Sequence, residues 1–273
     1  MTPAPAPPDP AAVADRTAVA MPANWPRRAG FLGLALYTAY AISTLDVTSD
    51  RFFRGLTQGA AFLKRLWPPN FEPSKLQLMT AGLLESVEIA ILATAIGVAL
   101  SLPLGVLAAR NLMPAWVSWT ARGLIALFRS FHPVIVAILF VKAVGFGALA
   151  GILALIVASC GFVSKLFAEA IEEMNLSQVE AVRATGASFW GVLAFGVAPQ
   201  VMARFIGFAA YQLDSNLRNS TMVGIVGGGG IGATLFTAYQ RFDYDFLMTI
   251  LLAIIAIIMV SELASTRVRK LFQ

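Results

Sequence analysis

Cysteine and histidine are almost missing from this 273-residue chain, which holds one of each, Cys160 and His132. A lone cysteine rules out an internal disulfide and a cysteine-built metal cluster. A lone histidine weighs against a zinc hydrolase, whose sites usually take three protein ligands. Charge is scarce too: Asp, Glu, Lys and Arg make up 13% of the residues against 58% hydrophobic ones, which excludes an ordinary soluble domain. No nucleophile–base pair or metal-ligand cluster stands out, so a membrane enzyme would lack its machinery. The first 26 residues carry seven prolines and no apolar core, and read as a disordered tail rather than a signal peptide. The net charge of +5 is explained by basic membrane flanks and does not argue for nucleic acid.

What is present is long apolar sequence. Several runs reach the roughly 20 residues needed to cross about 30 Å of hydrocarbon. The expected fold class is therefore an all-α integral membrane protein with about six transmembrane helices. The first span is expected at 29–45, behind Trp25, Arg27 and Arg28, and the second at 80–109. A third begins after Arg122 and Arg129, passes His132-Pro133 and ends near Lys142, with His132 a packed kink residue. Further spans follow at 148–167, 200–217 and 246–264. Between the first two, Phe52, Phe53, Leu56, Ala60, Leu63 and Trp67 recur at helical spacing, which predicts an amphipathic helix in the membrane interface. Three regions result: a cytoplasmic tail over 1–28, a first helix with its interfacial segment over 29–79, and a core membrane domain over 80–270. With six spans both termini share a side, and twelve of the twenty Lys and Arg then fall on it, which favours the cytoplasm. Glu85 and Glu88 share one helical face near the outer end of the second span, and read as interfacial carboxylates before any functional role.

One polar island breaks the apolar pattern. Ser177-Gln178-Val179-Glu180 has the form of a capping box opening a short helix, and Gly186 suits the left-handed residue that closes one. Phe189 and Trp190 open a second short helical piece, expected to end at Pro199. Glu180-Ala181-Val182, three residues, Gly186, nine residues and then Gly196-Val197-Ala198-Pro199 resemble the cytoplasmic coupling motif of ABC-importer permeases, E-A-A-x3-G-x9-I-x-L-P. Val182 stands for the second Ala, Gly196 for the Ile and Ala198 for the Leu, while the spacing is intact. The resemblance implies that a coupling loop at 173–199 docks on a separate ATPase subunit through Ser177, Glu180, Ala181, Arg183, Gly186, Phe189, Trp190 and Pro199.

Gly227 to Gly230 with Ile231-Gly232 satisfies G-x-G-x-x-G, but no strand precedes it and no acidic residue follows at the distance a dinucleotide site needs. A Walker loop is also missing, because no Lys-Ser or Lys-Thr follows the glycines. In a membrane protein such a run marks close packing or a helix break at an interface or pathway. The stretch from Arg218 to Val226, the glycine run, Trp67 to Phe71, Leu104 to Asn111 and Arg129 to Pro133 together resemble phosphonate-type permeases, the PhnE family, over roughly residues 65–270.

That resemblance implies a type I ABC-importer permease fold of the MetI kind and import of phosphonates or related small phosphorus oxyanions. It implies a second permease copy, two ATPase subunits holding ATP and Mg, an extracytoplasmic phosphonate-binding protein and a bacterial inner membrane. The permease itself does no bond chemistry. Asn216, Arg218, Asn219, Ser220 and Thr221 beside Gly228, Gly229 and Gly230 form a candidate pathway for the anion. Asp214, one turn from Arg218, leaves a structural ion pair open as the other reading. An ion-driven secondary transporter is the alternative class, and it predicts mid-span carboxylates and inverted repeats that this sequence does not display.

Overall fold

A computed structural model describes residues 25–45 and 48–272, the side chains of 268–272 excepted. Most of the tail expected over 1–28 lies outside the described residues. The chain divides into two units between Leu63 and Lys64. In the first, α1 (Trp25–Thr44) buries none of its residues, and α2 (Ser49–Arg65) leads on from it. On α2 the apolar residues Phe52, Phe53, Leu56 and Leu63 form one stripe, all exposed, as the periodicity predicts.

The second unit is a helical bundle. It comprises α3 (Pro73–Ala108), α4 (Ala115–Ser130), α5 (Pro133–Val144), α6 (Ala148–Glu172), α7 (Leu176–Ala184), α8 (Phe189–Ile225), α9 (Ile231–Gln240) and α10 (Tyr244–Phe272). By length and composition α3, α6, α8 and α10 can each cross a membrane. Counting each bent helix pair as one span gives up to six among the described residues.

The centre is the pairing of α3 with α6. Gly82, Ser86, Ala90, Ala93, Gly97, Ser101, Gly105 and Ala108 recur every three or four residues along α3, and all are buried. A Cβ on Gly97 would lie 2.5 Å from Ser159 Cβ, and one on Gly105 3.2 Å from Phe167 Cβ. Small residues such as Gly97 and Gly105 thus let these two helices approach backbone to backbone, while Gly82 and Ser86 at the start of the stripe face Ile231 of α9. α6 is then buried on several faces by α3, α4, α5 and α8.

Two expected spans are corrected. The third is not one helix: α4 and α5 meet at an angle of 87°. Their 16 and 12 residues span about 24 and 18 Å, each short of the hydrocarbon thickness. Pro133 cannot continue a helix from the residue before it, and exposed His132 serves as N-cap of α5, its Nδ1 accepting the Val134 amide at 3.3 Å. It is a bend residue, though a capping and not a packed one. The fifth span extends past Leu217 to Ile225, so Asp214 to Thr221 are helical and not a polar lead into the glycines.

Candidate functional site: the coupling loop and the polar helix

Two clusters of the expected residues stand apart on α8, one at each end. The first surrounds α7. The helix starts two residues ahead of the expected capping box: Asn175 is the N-cap, and its Oδ1 accepts the Ser177 amide at 3.0 Å. Ser177 lies inside the helix and its hydroxyl donates to the same oxygen at 2.6 Å. Asn is as good a cap as Ser, and the chain leaving α6 reaches Asn175 first in extended geometry. Glu180 is therefore free of any capping role; it is exposed and has no polar partner among the described residues. Gly186 ends the unit with φ +79°, a conformation that disfavours side chains.

Of α7 only Val179 is buried, 1% exposed, in a cluster with Phe167, Ile171, Val192, Val197 and Val201. Ser177, Glu180, Ala181 and Arg183 all face outward, as do Gly186, Phe189 and Trp190, the last 74% exposed. Phe189 and Trp190 meet edge to face at 5.6 Å. The second helical piece does not end at Pro199. Val192–Val197 form a π-helical turn, in which Ala198 N bonds Leu193 O five residues back, and the helix runs on through Pro199. Proline has no amide to give, and a widened turn accommodates the missing bond and the ring.

The second cluster lies toward the other end of α8. Asn216 is fully buried and donates to Thr94 Oγ1 (2.9 Å) on α3 and Ser159 Oγ (2.7 Å) on α6. Gln212 donates to Ser159 and to Asn216, both at 3.0 Å. This closes a polar node joining three helices. Ser220 is buried and bonds back to Leu217 O. Gly228, Gly229 and Gly230 are buried as well. A Cβ on Gly230 would strike Ser86 Oγ, which already accepts the Ile231 amide at 2.8 Å. The glycine run packs α8 and α9 against α3 and α6.

Arg218 forms the ion pair with Asp214 that the sequence allowed, the side chains being 43% and 7% exposed. The other Asp214 oxygen accepts from Ser261 of α10 at 2.9 Å. Arg218 is exposed, while Asn219 and Thr221 are half-buried. Sequence reasoning missed Asn175, Gln200 and the Thr94–Ser159–Gln212 node. An Asn two residues before Ser177 was a readable cap signal; the others have no local signature. No group of three or more His, Cys, Asp or Glu able to hold a metal exists among the described residues.

An all-helical bundle with several membrane-length helices, carrying a short exposed helix–turn–helix between two of them, is the frame of a multi-pass membrane protein. The chain belongs to the family described as binding-protein-dependent transport system inner membrane component, whose model matches residues 101–273. It is thus the multi-pass membrane subunit of an ABC importer. It is 38% identical over 255 residues to the phosphite transport system permease protein PtxC of Stutzerimonas stutzeri, covering 92% of this chain and 91% of that one. It is also 38% identical over 230 residues to the phosphate-import permease protein PhnE of Mycolicibacterium smegmatis, covering 84% of this chain but only 43% of that protein's length. Among solved structures, an inward-facing MetNI methionine ABC transporter chain matches with TM-score 0.67 at 22% identity, over 74% of this chain and all of that one, a likeness of fold.

Proposed function

We propose that this chain imports phosphonates or related small phosphorus oxyanions, coupling translocation to ATP hydrolysis by a separate ATPase subunit. The observation that carries the substrate class is the 38% identity to a phosphite permease across nearly the whole of both chains. Support for the coupling is local: Glu180, Arg183, Phe189 and Trp190 lie together on an exposed helix–turn–helix, seated through Val179, Val192 and Val197. ATPase closure moves α7, and α8 carries that movement to the polar stretch where Arg218, Asn219 and Thr221 offer a cation and hydrogen-bond donors to the anion. Asn216, Ser220 and Gly228 to Gly230 hold the helices around that stretch. Two copies pair in the bacterial inner membrane, with both termini cytoplasmic and a binding protein delivering ligand outside.

The test is uptake of labelled phosphite by cells that express the permease with an ATPase subunit and binding protein and have no other route for it. Glu180→Lys should abolish uptake and ATPase-subunit copurification while membrane insertion persists. Uptake that continues without any ATPase subunit overturns the reading in favour of a secondary transporter.

A further inference from the structure

The junction between α6 and α7 is held from two sides by different helices. On one side, Glu172 at the end of α6 accepts from the Arg110 amide and from Arg122, both at 2.7 Å, and Asn111 Nδ2 donates to Ile171 O at 2.8 Å. Those bonds tie α6 to the end of α3 and to α4. On the other side, the Gln200 carboxamide reaches from α8 to Asn175. Its Oε1 accepts the Asn175 amide at 3.0 Å, and its Nε2 donates to the Asn175 carbonyl at 3.2 Å and the Gly196 carbonyl at 2.7 Å. One side chain thus binds both main-chain groups of the residue that caps α7. It also reinforces α8 where Pro199 and the π-turn weaken its own ladder.

The changeover falls between Glu172 and Glu173. Glu173 pairs with Arg204 of α8 at 2.8 Å, but both side chains are more than half exposed. Water screens such a pair, whereas Gln200 is half-buried and joins Asn175 and Gly196 through three bonds at once. Van der Waals contact runs the same way: a Cβ on Gly196 would lie 3.3 Å from Val179 Cα. So polar links tie α7 to the opening turns of α8 and, separately, α6 to α3 and α4, and the two sets meet through apolar contact of Val179, Val197 and Val201 with Phe167 and Ile171 of α6.

Resting on the docking reading above, we propose that Gln200 is the positioning residue through which α7 moves α8, the pair pivoting at Glu172–Glu173. Arg218 lies eighteen residues further along the same helix, about 27 Å at 1.5 Å per residue. A push on α7 thereby reaches the polar stretch through one continuous helix.

The test uses the permease copurified with its ATPase subunit, in a Cys160→Ala background with Tyr211→Cys as reporter on the exposed side of α8. Maleimide labelling of position 211 is measured with and without ATP and vanadate, so no transported ligand is needed. The unaltered clamp should show an ATP-dependent change in labelling rate. Gln200→Leu should keep ATPase copurification and ATP turnover yet shrink that change at least tenfold. Arg204→Ala, which removes only the exposed pair, should stay within twofold of the parent. If the leucine variant does not accumulate, Gln200→Glu replaces it; it keeps the acceptor, loses both donated bonds, and should shrink the change at least threefold. A Gln200 variant that responds as the parent does overturns the proposal. So does one that loses the ATPase subunit, since the carboxamide would then only shape the docking helix. A parent that binds no ATPase subunit removes the docking reading, and the clamp falls with it.

Discussion

Replacing Gly196 by isoleucine would restore the residue that the coupling motif calls for, and the structure predicts that this harms the protein. Gly196 faces α7: an added Cβ would sit 3.3 Å from Val179 Cα and 3.7 Å from Val182 Cβ. Val179 is buried and the nearest atom is backbone, so it cannot yield. The Cβ alone is barely admitted, and the further branches of isoleucine overpack the contact by about 1–3 kcal/mol. Better helix propensity returns only about 0.5 kcal/mol of this. Val182 is the other departure from the motif, an alanine position filled by a larger side chain, and it stands opposite the glycine. The two departures therefore form a single exchange of bulk across one contact. Val182→Ala alone should cost about 1 kcal/mol for two half-buried methyls. Val182→Ala with Gly196→Ile should come back to within about 1 kcal/mol of the parent, a coupling of at least about 0.5 kcal/mol in a double-mutant cycle. Thermal unfolding of the four proteins in one detergent reads this out, at about 2–4 °C per kcal/mol for a chain of this size. Single variants whose losses simply add in the double would refute the argument.

Gly230→Ala should reduce the amount of folded permease severalfold in a membrane immunoblot, because φ is +75° and the new methyl meets Ser86 Oγ. Ser86→Ala leaves the buried Ile231 amide without its acceptor and should cost about 1–3 kcal/mol, seen as a lower unfolding midpoint. Arg218→Ala should lower permease abundance by stranding nearly buried Asp214, and Asp214→Asn with Arg218→Ala should recover the abundance. If Arg218 serves the anion, phosphite uptake by that double variant stays low at normal abundance; recovered uptake reduces the pair to a structural role. Spin labels at Leu56 and Gln58, on opposite faces of α2, should show the first shielded by lipid and the second open to water in vesicles.

The bundle was legible wherever its cause is local. Apolar length marked α3, α6 and α10, and the period of Phe52, Phe53, Leu56 and Leu63 marked α2. Gly186 was readable as a left-handed stop because little besides glycine adopts that conformation at low cost. The errors arose where two local signals competed. Ser177 and Asn175 are both good caps, and the exit from α6 decided between them. Proline breaks a helix at Pro133, where the preceding residue turns extended, but Pro199 is absorbed by a π-turn that no composition announces. The polar node was illegible for another reason. Thr94, Ser159, Gln212 and Asn216 come from three helices, and only packing brings them within hydrogen-bond reach.

The sequence sets the ion pair and the pathway against each other as readings, and the ion pair seen in the structure does not exclude the proposed pathway. A guanidinium within a membrane span costs about 2.5–3.5 kcal/mol on insertion scales, so an unpartnered one would be poorly tolerated. Asp214 offsets that cost and is itself held by Ser261, so the carboxylate is nearly buried with both oxygens occupied. Among the described residues only one terminal nitrogen of Arg218 is taken, which leaves the other donors of a side chain 43% exposed. The pair as a whole is close to neutral. In the pathway proposed above, an oxyanion meeting it would find hydrogen-bond donors without a strong net field, and would be released as readily as it is received. A bare arginine would hold the anion and slow transport, whereas a fully buried pair would offer it nothing. Pairing at one edge and exposure at the other is thus an arrangement that would suit the proposed conduit for a small anion.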